Sequence, residues 1–125
     1  QSCILKFQHN SLGSAGNAET SSRSTVAMVP EYPPIHVRSF GKKGRGEGSL
    51  HFPMDLAADA EGNIYVADRE NHILQVFSEN GTFQRSYGGL GDKEGKFKYP
   101  CGVAVDSERV LVSDCFNHRI QVLSK

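Results

Sequence analysis

The feature that most constrains this chain is an internal repeat in its C-terminal part. Arg38-Ser39-Phe40-Gly41 recurs about 47 residues later as Arg85-Ser86-Tyr87-Gly88. Further matches follow in the same order, at a spacing that shortens by one residue near Gly62. They join Phe52-Pro53, Ala57, Asp59, Val66, Asp68, Asn71, His72, Gln75 and Val76 to Tyr99-Pro100, Ala104, Asp106, Val112, Asp114, Asn117, His118, Gln121 and Val122. A period of this size indicates one small structural unit per copy, with a core shared between stacked copies.

Within each copy, short runs of β-branched, aliphatic and aromatic residues alternate with turn residues, and no helical period is present. The first copy therefore predicts four antiparallel strands, at 54–59, 63–68, 73–78 and 82–87. The first strand contains small residues, Ala57 and Ala58 in this copy and Gly102 and Ala104 in the second, which suits a crowded axis. Together these patterns predict an all-β fold, a partial β-propeller of about two four-stranded antiparallel blades.

The blade boundaries follow from where the repeat begins and stops. Blade one covers residues 53–88, and blade two covers residues 100–125 without an outer strand. Residues 35–40 are predicted to be the outer strand of a preceding blade. Because two blades cannot close a ring, exposed blade edges and faces predict that the chain associates with itself.

Residues 1–34 differ in composition from the repeats. They are rich in Ser, Gly, Ala and Asn, lack a periodic apolar face and end in the proline-rich stretch 29–34. Such a segment buries too little apolar surface to offset its ordering entropy, so it is predicted to be a flexible linker.

Charge and cysteine content narrow the range of partners and locations. Fourteen basic and fourteen acidic residues give a formal net charge of zero, so the whole-chain field does not steer nucleic acid or acidic membranes. No apolar run is long enough to span a membrane. The three cysteines, Cys3, Cys101 and Cys115, are odd in number and lack paired metal-ligand spacing, which predicts reduced thiols and a cytoplasmic protein. Cys101 is read as a small buried apolar residue, and Cys115 as a turn residue near it.

The second copy contains the most informative motif. It reads Phe97-Lys98-Tyr99-Pro100-Cys101-Gly102-Val103-Ala104-Val105-Asp106, then Val112-Ser113-Asp114, then Asn117-His118-Arg119-Ile120-Gln121-Val122-Leu123. These residues resemble the NHL repeat, and the resemblance covers residues 35–125. The first copy departs from it at Ile73, where Arg is usual, and at Met54-Asp55, where a small pair is usual. The resemblance implies a fragment of a six-bladed propeller.

The family most similar to the chain is the tripartite-motif NHL group (TRIM-NHL). In these ubiquitin ligases a zinc-binding RING domain carries catalysis, and the C-terminal propeller selects protein or RNA partners. The chain has no RING-type Cys/His ladder, so the resemblance implies a non-catalytic recognition module without a cofactor, and a ligase only through a RING domain in a longer parent.

One enzyme remains as an alternative, the peptidyl-hydroxyglycine amidating lyase, which has a similar propeller. It shares a run like Val66-Ala67-Asp68-Arg69-Glu70-Asn71. Its metal-binding histidines follow the proline of the first strand, where this sequence has Met54 and Cys101. That difference counts against the lyase, and no metal ligand is predicted.

The candidate binding residues lie on the loops where the copies differ, between successive blades and between the second and third strands. They combine basic and aromatic side chains suited to single-stranded RNA, and the resemblance implies that this face binds it. A protein ligand remains open, as does an ordinary solvated lysine rim over interblade aromatics. The candidates are Lys42, Lys43, Arg45, His51, Phe52, Arg69, Lys93, Lys96, Lys98, Tyr99 and Phe116.

Five polar residues of the two copies are predicted to be structural, and none is predicted to be catalytic. Asp114 and Arg119 face each other across a short turn as a cross-strand ion pair. In the first copy Ile73 cannot form this pair with Asp68, so packing should hold that hairpin. His72 and His118 recur at equivalent turn positions, which favours a structural role over metal binding.

Overall fold

The computed structural model describes residues 35–125, and residues 39–125 group into one unit. The linker predicted for residues 1–34 lies outside the described residues, as does Cys3. A short parallel pair comes first, formed by β1 (Lys42–Lys43) and β2 (Ser49–Leu50). No helix in the described part of the chain is long and apolar enough to cross a membrane.

Two antiparallel sheets follow and correspond to the two copies of the repeat. Blade one contains β3 (Pro53–Ala58), β4 (Ile64–Asp68), β5 (Ile73–Phe77) and β6 (Phe83–Gly88), paired in that order. Blade two contains β7 (Pro100–Val105), β8 (Arg109–Asp114) and β9 (Arg119–Ser124). The predicted all-β fold of partial propeller blades is confirmed, and the four strands predicted for blade one begin and end within one residue of those observed.

The tight turns form where the repeated aspartates and histidines stand. The Asp59 carboxylate accepts N–H groups of Glu61 and Asn63 at 3.0 and 2.9 Å, which closes the turn between β3 and β4. The connection after β4 is a 3₁₀ turn, Arg69–Asn71, that ends at His72 with φ 57°. Its counterpart Cys115–Asn117 ends at His118 with φ 56°, so both turns use a histidine in the left-handed region.

The core lies between the blades. On blade one, alternate residues of β3, β4 and β5 point toward blade two, and we call this the back face: Ala57, Tyr65, Ala67, Leu74 and Val76. On blade two the opposing front face comprises Val103, Val105, Val110, Val112 and Leu123. Phe97 enters this interface and is fully buried. A Cβ at Gly88 would lie 2.4 Å from the Phe97 ring, and φ is +106°, so only glycine fits there.

The outer strand predicted at 35–40 does not form, since residues 35–41 have no strand structure. An outer strand needs the ladder of the third strand of its own blade, and no described strand offers that ladder to this segment. Phe40 nevertheless packs on Phe77 of blade one, with ring centroids 5.2 Å apart.

The cysteines correct a second prediction. Cys101 and Cys115 are joined as a disulfide, with Cα atoms 6.2 Å apart, so the expectation of reduced thiols is wrong for this pair. The prediction used sequence spacing alone, whereas in the structure Cys101 lies in a β-bulge next to the Pro100–Asp114 pair, and Cys115 begins the turn directly after that pair. The cytoplasmic location rested partly on reduced thiols and stays a prediction.

Candidate recognition site at the loop end of the blades

Four side chains of blade two form what we call the second polar network: Asp114, Asn117, Arg119 and Gln121. The Asp114 carboxylate is fully buried. Its Oδ1 accepts the Lys98 N–H at 2.7 Å, and its Oδ2 accepts Arg119 Nε at 2.9 Å and Asn117 Nδ2 at 3.0 Å. Burial raises the pKa of Asp114, but the hydrogen bonds from Asn117, the Lys98 backbone and Arg119 outweigh it and lower the pKa below its usual range.

The second polar network holds the connection that leads into blade two. Asn117 Nδ2 donates to a backbone carbonyl at 2.9 Å, Arg119 Nη2 donates to two, and the Gln121 amide both donates to and accepts from the backbone. The backbone groups concerned belong to Gly91, Lys93, Gly95 and Lys96. The network contacts this connection only through the main-chain atoms of the connection. The side chains of Lys93 and Lys96 therefore stay exposed on a fixed backbone.

Blade one repeats the arrangement in the first polar network, Asp68, Asn71 and Gln75. Asp68 is also fully buried, and its carboxylate accepts the His51 N–H at 2.7 Å, Asn71 Nδ2 at 2.8 Å and Gln75 Nε2 at 3.1 Å. Ile73 stands where blade two has Arg119, so the first network has no cation. It still holds the connection before blade one, through backbone groups of Gly44, Gly48 and Ser49.

Each network places an aromatic residue at the start of its blade. The backbone of Lys98 is held on both sides, because its carbonyl accepts the Phe116 N–H at 3.0 Å. His51 is held in the same way by the Glu70 N–H. The next residues, Phe52 and Tyr99, have φ of 61° and 55°, which non-glycine residues adopt rarely and only where their surroundings impose it.

Tyr99 is the centre of what we call the aromatic cluster, Arg69, His72, Tyr99 and Phe116. Its ring lies 4.5 Å from the His72 ring and 4.6 Å from the Phe116 ring, and the Arg69 guanidinium lies 5.0 Å from its centroid. The Tyr99 N–H donates to His72 Nδ1 at 3.1 Å, which joins the two blades. Arg69 also pairs with Glu70.

The electrostatics of the cluster are basic. Burial lowers the pKa of His72, and the positive charges of Arg45, Arg69 and Lys98 lower it further against the opposing effect of Glu70. Arg45 and Lys98 are thus close enough to act on the cluster. Phe116 is 55% exposed and Phe52 is 64% exposed, so aromatic faces remain open to a ligand.

The other predicted binding residues lie outside the aromatic cluster. His51 and Phe52 have ring centroids 5.2 Å apart. Lys42 and Lys43 line a cleft of about 450 Å³ together with Phe40, Leu50, His51 and Phe52. Lys96 instead lies against Gly89 and Gly91, and exposed Lys93 is not drawn into the cluster. The structure therefore divides the predicted binding residues among the aromatic cluster, the cleft and two lysines, Lys93 and Lys96, that lie in neither.

Sequence reasoning missed the amide members of the networks, Asn71, Gln75, Asn117 and Gln121, as determinants of the site. The available signal was their recurrence at fixed distances after each buried aspartate. Within residues 35–125, no group of three or more His, Cys, Asp or Glu side chains converges as a metal ion would require.

Comparison with known proteins gives the same repeat. The NHL repeat family model matches residues 50–77 and 97–123. The chain is similar to RING finger protein nhl-1 of Caenorhabditis elegans, with 43% identity over 75 residues, which is 60% of this chain and 8% of the relative. It is 33% identical to Protein brain tumor of Drosophila melanogaster over 94 residues, 73% of this chain and 9% of that protein.

A third relative is E3 ubiquitin-protein ligase TRIM71 of Rattus norvegicus, which is 49% identical over 49 residues, 39% of this chain and 6% of the ligase. The chain therefore matches less than a tenth of the length of each of these relatives.

Proposed function

The chain carries two NHL repeats and is related to the TRIM-NHL proteins, and on this premise we propose that it is a non-catalytic recognition module whose loop end binds single-stranded RNA. The observation that carries the proposal is the aromatic cluster, in which Tyr99 and Phe116 are in contact, the Arg69 guanidinium lies over the Tyr99 ring, and exposed Lys98 directly precedes Tyr99. Bases stack on aromatic faces, and cationic side chains neutralise phosphates beside them.

The polar networks support this proposal because they pre-organise the loops. A loop that is already fixed loses less conformational entropy on binding than a mobile one. The networks bind main-chain groups of the connections, so the exposed side chains of Lys98 and Phe116 can be used for a ligand without disturbing the fold.

The names of two relatives contain "RING finger" and "E3 ubiquitin-protein ligase". We therefore extend the proposal to a longer parent protein, in which a zinc-binding RING domain would carry catalysis and this chain would select the substrate. Ubiquitin transfer by the parent, lost on deletion of the RING domain but not on deletion of this chain, would test that extension.

The direct test is fluorescence anisotropy of single-stranded RNA oligonucleotides over a series of salt concentrations. Neutralising Lys42, Lys43 and Lys98 to Gln should weaken binding and reduce the slope of log affinity against log salt by about two, since each phosphate contact on single strands contributes roughly 0.7. Phe116→Ala should weaken binding about tenfold by removing one stacking face.

Arg109→Gln is the matched control for Lys98→Gln. It removes one positive charge at the opposite end of β8, where Arg109 pairs with Asp106, and it should leave RNA affinity unchanged. If affinity ignores both the salt concentration and the lysine substitutions, the RNA proposal is wrong, and a protein ligand becomes the better candidate for this face.

A further inference from the structure

The disulfide of blade two lies directly beside the aromatic cluster. Cys101 comes two residues after Tyr99. Its partner Cys115 comes directly before Phe116. The rings of Tyr99 and Phe116 lie 4.6 Å apart, and the Phe116 N–H donates to the Lys98 carbonyl at 3.0 Å. The bond therefore joins the two segments that supply these neighbouring aromatic rings.

Blade one forms the same backbone without a covalent bond. Met54 stands where blade two has Cys101, and both residues lie in a β-bulge directly after a proline. Arg69 stands where blade two has Cys115, and both residues begin a 3₁₀ turn. The residues before the two turns have φ of −94° and −96°, and the histidines that end them have φ of 57° and 56°. Because these conformations agree, neither the bulge nor the turn depends on the disulfide.

Hydrogen bonds also hold this end of blade two independently of the disulfide. Asp114 pairs with Pro100 across β8 and β7, and its carboxylate accepts the Lys98 N–H at 2.7 Å. Asn117, at the end of the turn, donates to the same carboxylate at 3.0 Å. These contacts keep the two cysteines close together whether or not they are bonded, so the bond can break and form again without unfolding of the blade.

A small thiol can reach the disulfide from the side of the turn. Cys101 and Cys115 are both half-buried. In blade one, where blade two lies alongside, the equivalent Arg69 side chain keeps 33% of its surface exposed. The position of Cys115 therefore stays accessible when another blade lies beside it.

We propose that Cys101 and Cys115 form a redox-active pair, whose bond sets how firmly the turn that carries Phe116 is held against the start of blade two. With the bond closed, the turn is fixed and the Phe116 ring stays beside Tyr99. With the bond open, hydrogen bonds alone hold the turn, so it opens more often and the aromatic surface is less well pre-organised for a ligand. The consequence for RNA binding rests on the proposed function, whereas the consequence for the turn does not.

The pair would exchange with a small thiol–disulfide couple of the glutathione class. A thiolate of the couple attacks Cys115 Sγ and forms a mixed disulfide, and Cys101 leaves as a thiolate that takes up a proton. A second thiolate attacks the small-molecule sulfur of the mixed disulfide, and Cys115 leaves in the same way. Two electrons thus pass to the pair, and the couple is released as its own disulfide. The reverse reaction closes the bond.

Equilibration of the full chain with mixtures of reduced and oxidised glutathione tests the pair directly. Cys3→Ser removes the third cysteine, so every thiol that is trapped with N-ethylmaleimide and counted by mass spectrometry belongs to the pair. The pair should be closed in oxidised glutathione and open in reduced glutathione, with the same circular dichroism spectrum in both. A bond that stays closed in reduced glutathione, or a fold that is lost when it opens, would identify a structural cross-link and overturn the proposal. Thiols that stay free in oxidised glutathione would overturn it as well.

Hydrogen exchange of the Phe116 N–H measures the turn, and the Glu70 N–H is the matched internal control. Glu70 stands where blade two has Phe116, and its N–H donates to the His51 carbonyl at 3.0 Å. Opening the bond should raise the exchange rate of the Phe116 N–H at least about tenfold and leave that of Glu70 unchanged. Cys101→Ser combined with Cys115→Ser should give the fast rate in both glutathione mixtures. No change at Phe116, or an equal change at Glu70, would contradict the proposal.

Anisotropy with single-stranded RNA oligonucleotides tests the link to the recognition site. The closed form should bind about threefold to tenfold more tightly than the open form, which is the effect of immobilising one side chain in advance. The double serine variant should have the affinity of the open form in both glutathione mixtures. Equal RNA affinity of the two forms would overturn the link to the site. If neither form binds RNA, the proposed function fails, and the exchange rates still decide whether the pair controls the turn.

Discussion

The two polar networks hold equivalent connections with the same geometry but differ in charge. Asp68 and Asp114 are both fully buried, and each accepts a main-chain N–H at 2.7 Å from the connection before its blade. Only Asp114 has a cationic partner, Arg119. The comparison teaches that a buried carboxylate in this repeat can be satisfied by amide and backbone donors alone, which is the condition for its burial.

Arg119 therefore adds to a network that is already complete. Beyond Asp114, its Nη2 donates to the carbonyls of Lys93 and Lys96, which makes the connection into blade two more tightly held than the one into blade one. Hydrogen bonds to charged groups are shorter and stronger than neutral ones, so this difference should be measurable as stability.

Replacing the buried aspartates should have the largest effect. Asp114→Asn should lower the free energy of unfolding by about 3 kcal/mol, because it removes the carboxylate from a network with a half-buried cation. Asp68→Asn should cost about 2 kcal/mol. The amide NH₂ of the new Asn would face the N–H groups that now donate to Asp68, but no cation would lose its partner. Urea unfolding of both variants measures the difference.

Equal losses in the two variants would contradict the comparison, because they would mean that Arg119 contributes nothing to the second network. Asp106→Asn serves as a control, since Asp106 is an exposed turn carboxylate paired with Arg109, and its replacement should cost much less.

Exchanging Ile73 and Arg119, the residues at which the two networks differ, should change the free energy of unfolding by a smaller amount. Arg119→Ile makes the second network resemble the first and should cost about 1 kcal/mol, the usual contribution of a partly exposed pair with added hydrogen bonds. Ile73→Arg should stabilise blade one by a few tenths of a kcal/mol, because Asp68 and the carbonyls of Gly46 and Ser49 stand where Arg119 finds its partners.

Hydrogen exchange gives the measurement, because it reports each connection separately. Protection of residues 91–98 should fall in Arg119→Ile, and protection of residues 44–51 should rise in Ile73→Arg. In the double variant, residues 44–51 should become better protected from exchange than residues 91–98. If residues 91–98 stay the better protected, something other than this cation sets the stability of the two connections.

The sequence predicted the strands well because their signals are local. Apolar runs separated by turns fall in the same register in both copies, so each copy supported the reading of the other. The polar networks were missed because their hydrogen bonds join residues far apart in the chain, as from Asn71 to Gly44 and from Gln121 to Gly95. The repeat marked these residues as equivalent but could not indicate what they contact.

The two errors of prediction have a common physical cause. Residues 35–40 have the sequence of an outer strand, but a strand forms only on a neighbour. Cys101 and Cys115 have no informative spacing, but a bulge in β7 and the turn after β8 place them beside the same Pro100–Asp114 pair. In both cases the outcome depends on which other element lies alongside, and sequence patterns within one segment do not contain that information.

The smallest predicted effect is on the pH dependence of stability. It distinguishes His72, which lies at the junction of the two blades, from exposed His118. His72 Nδ1 accepts the Tyr99 N–H, so it must be unprotonated there, and burial among basic residues lowers the pKa of His72 below its usual 6.5. Because the folded pKa is below the unfolded one, His72 contributes stability that is present above pH 6.5 and is lost as the pH falls through the folded value.

Titration of the His72 ring by NMR should give a midpoint below 6.5, and the Tyr99 amide signal should shift with the same midpoint. His72→Gln should reduce the loss of stability between neutral and mildly acidic pH, and His118→Gln, which replaces the exposed histidine at the equivalent turn of blade two, should preserve it. A Tyr99 signal that ignores the His72 titration would break the inferred link between this histidine and the junction of the blades.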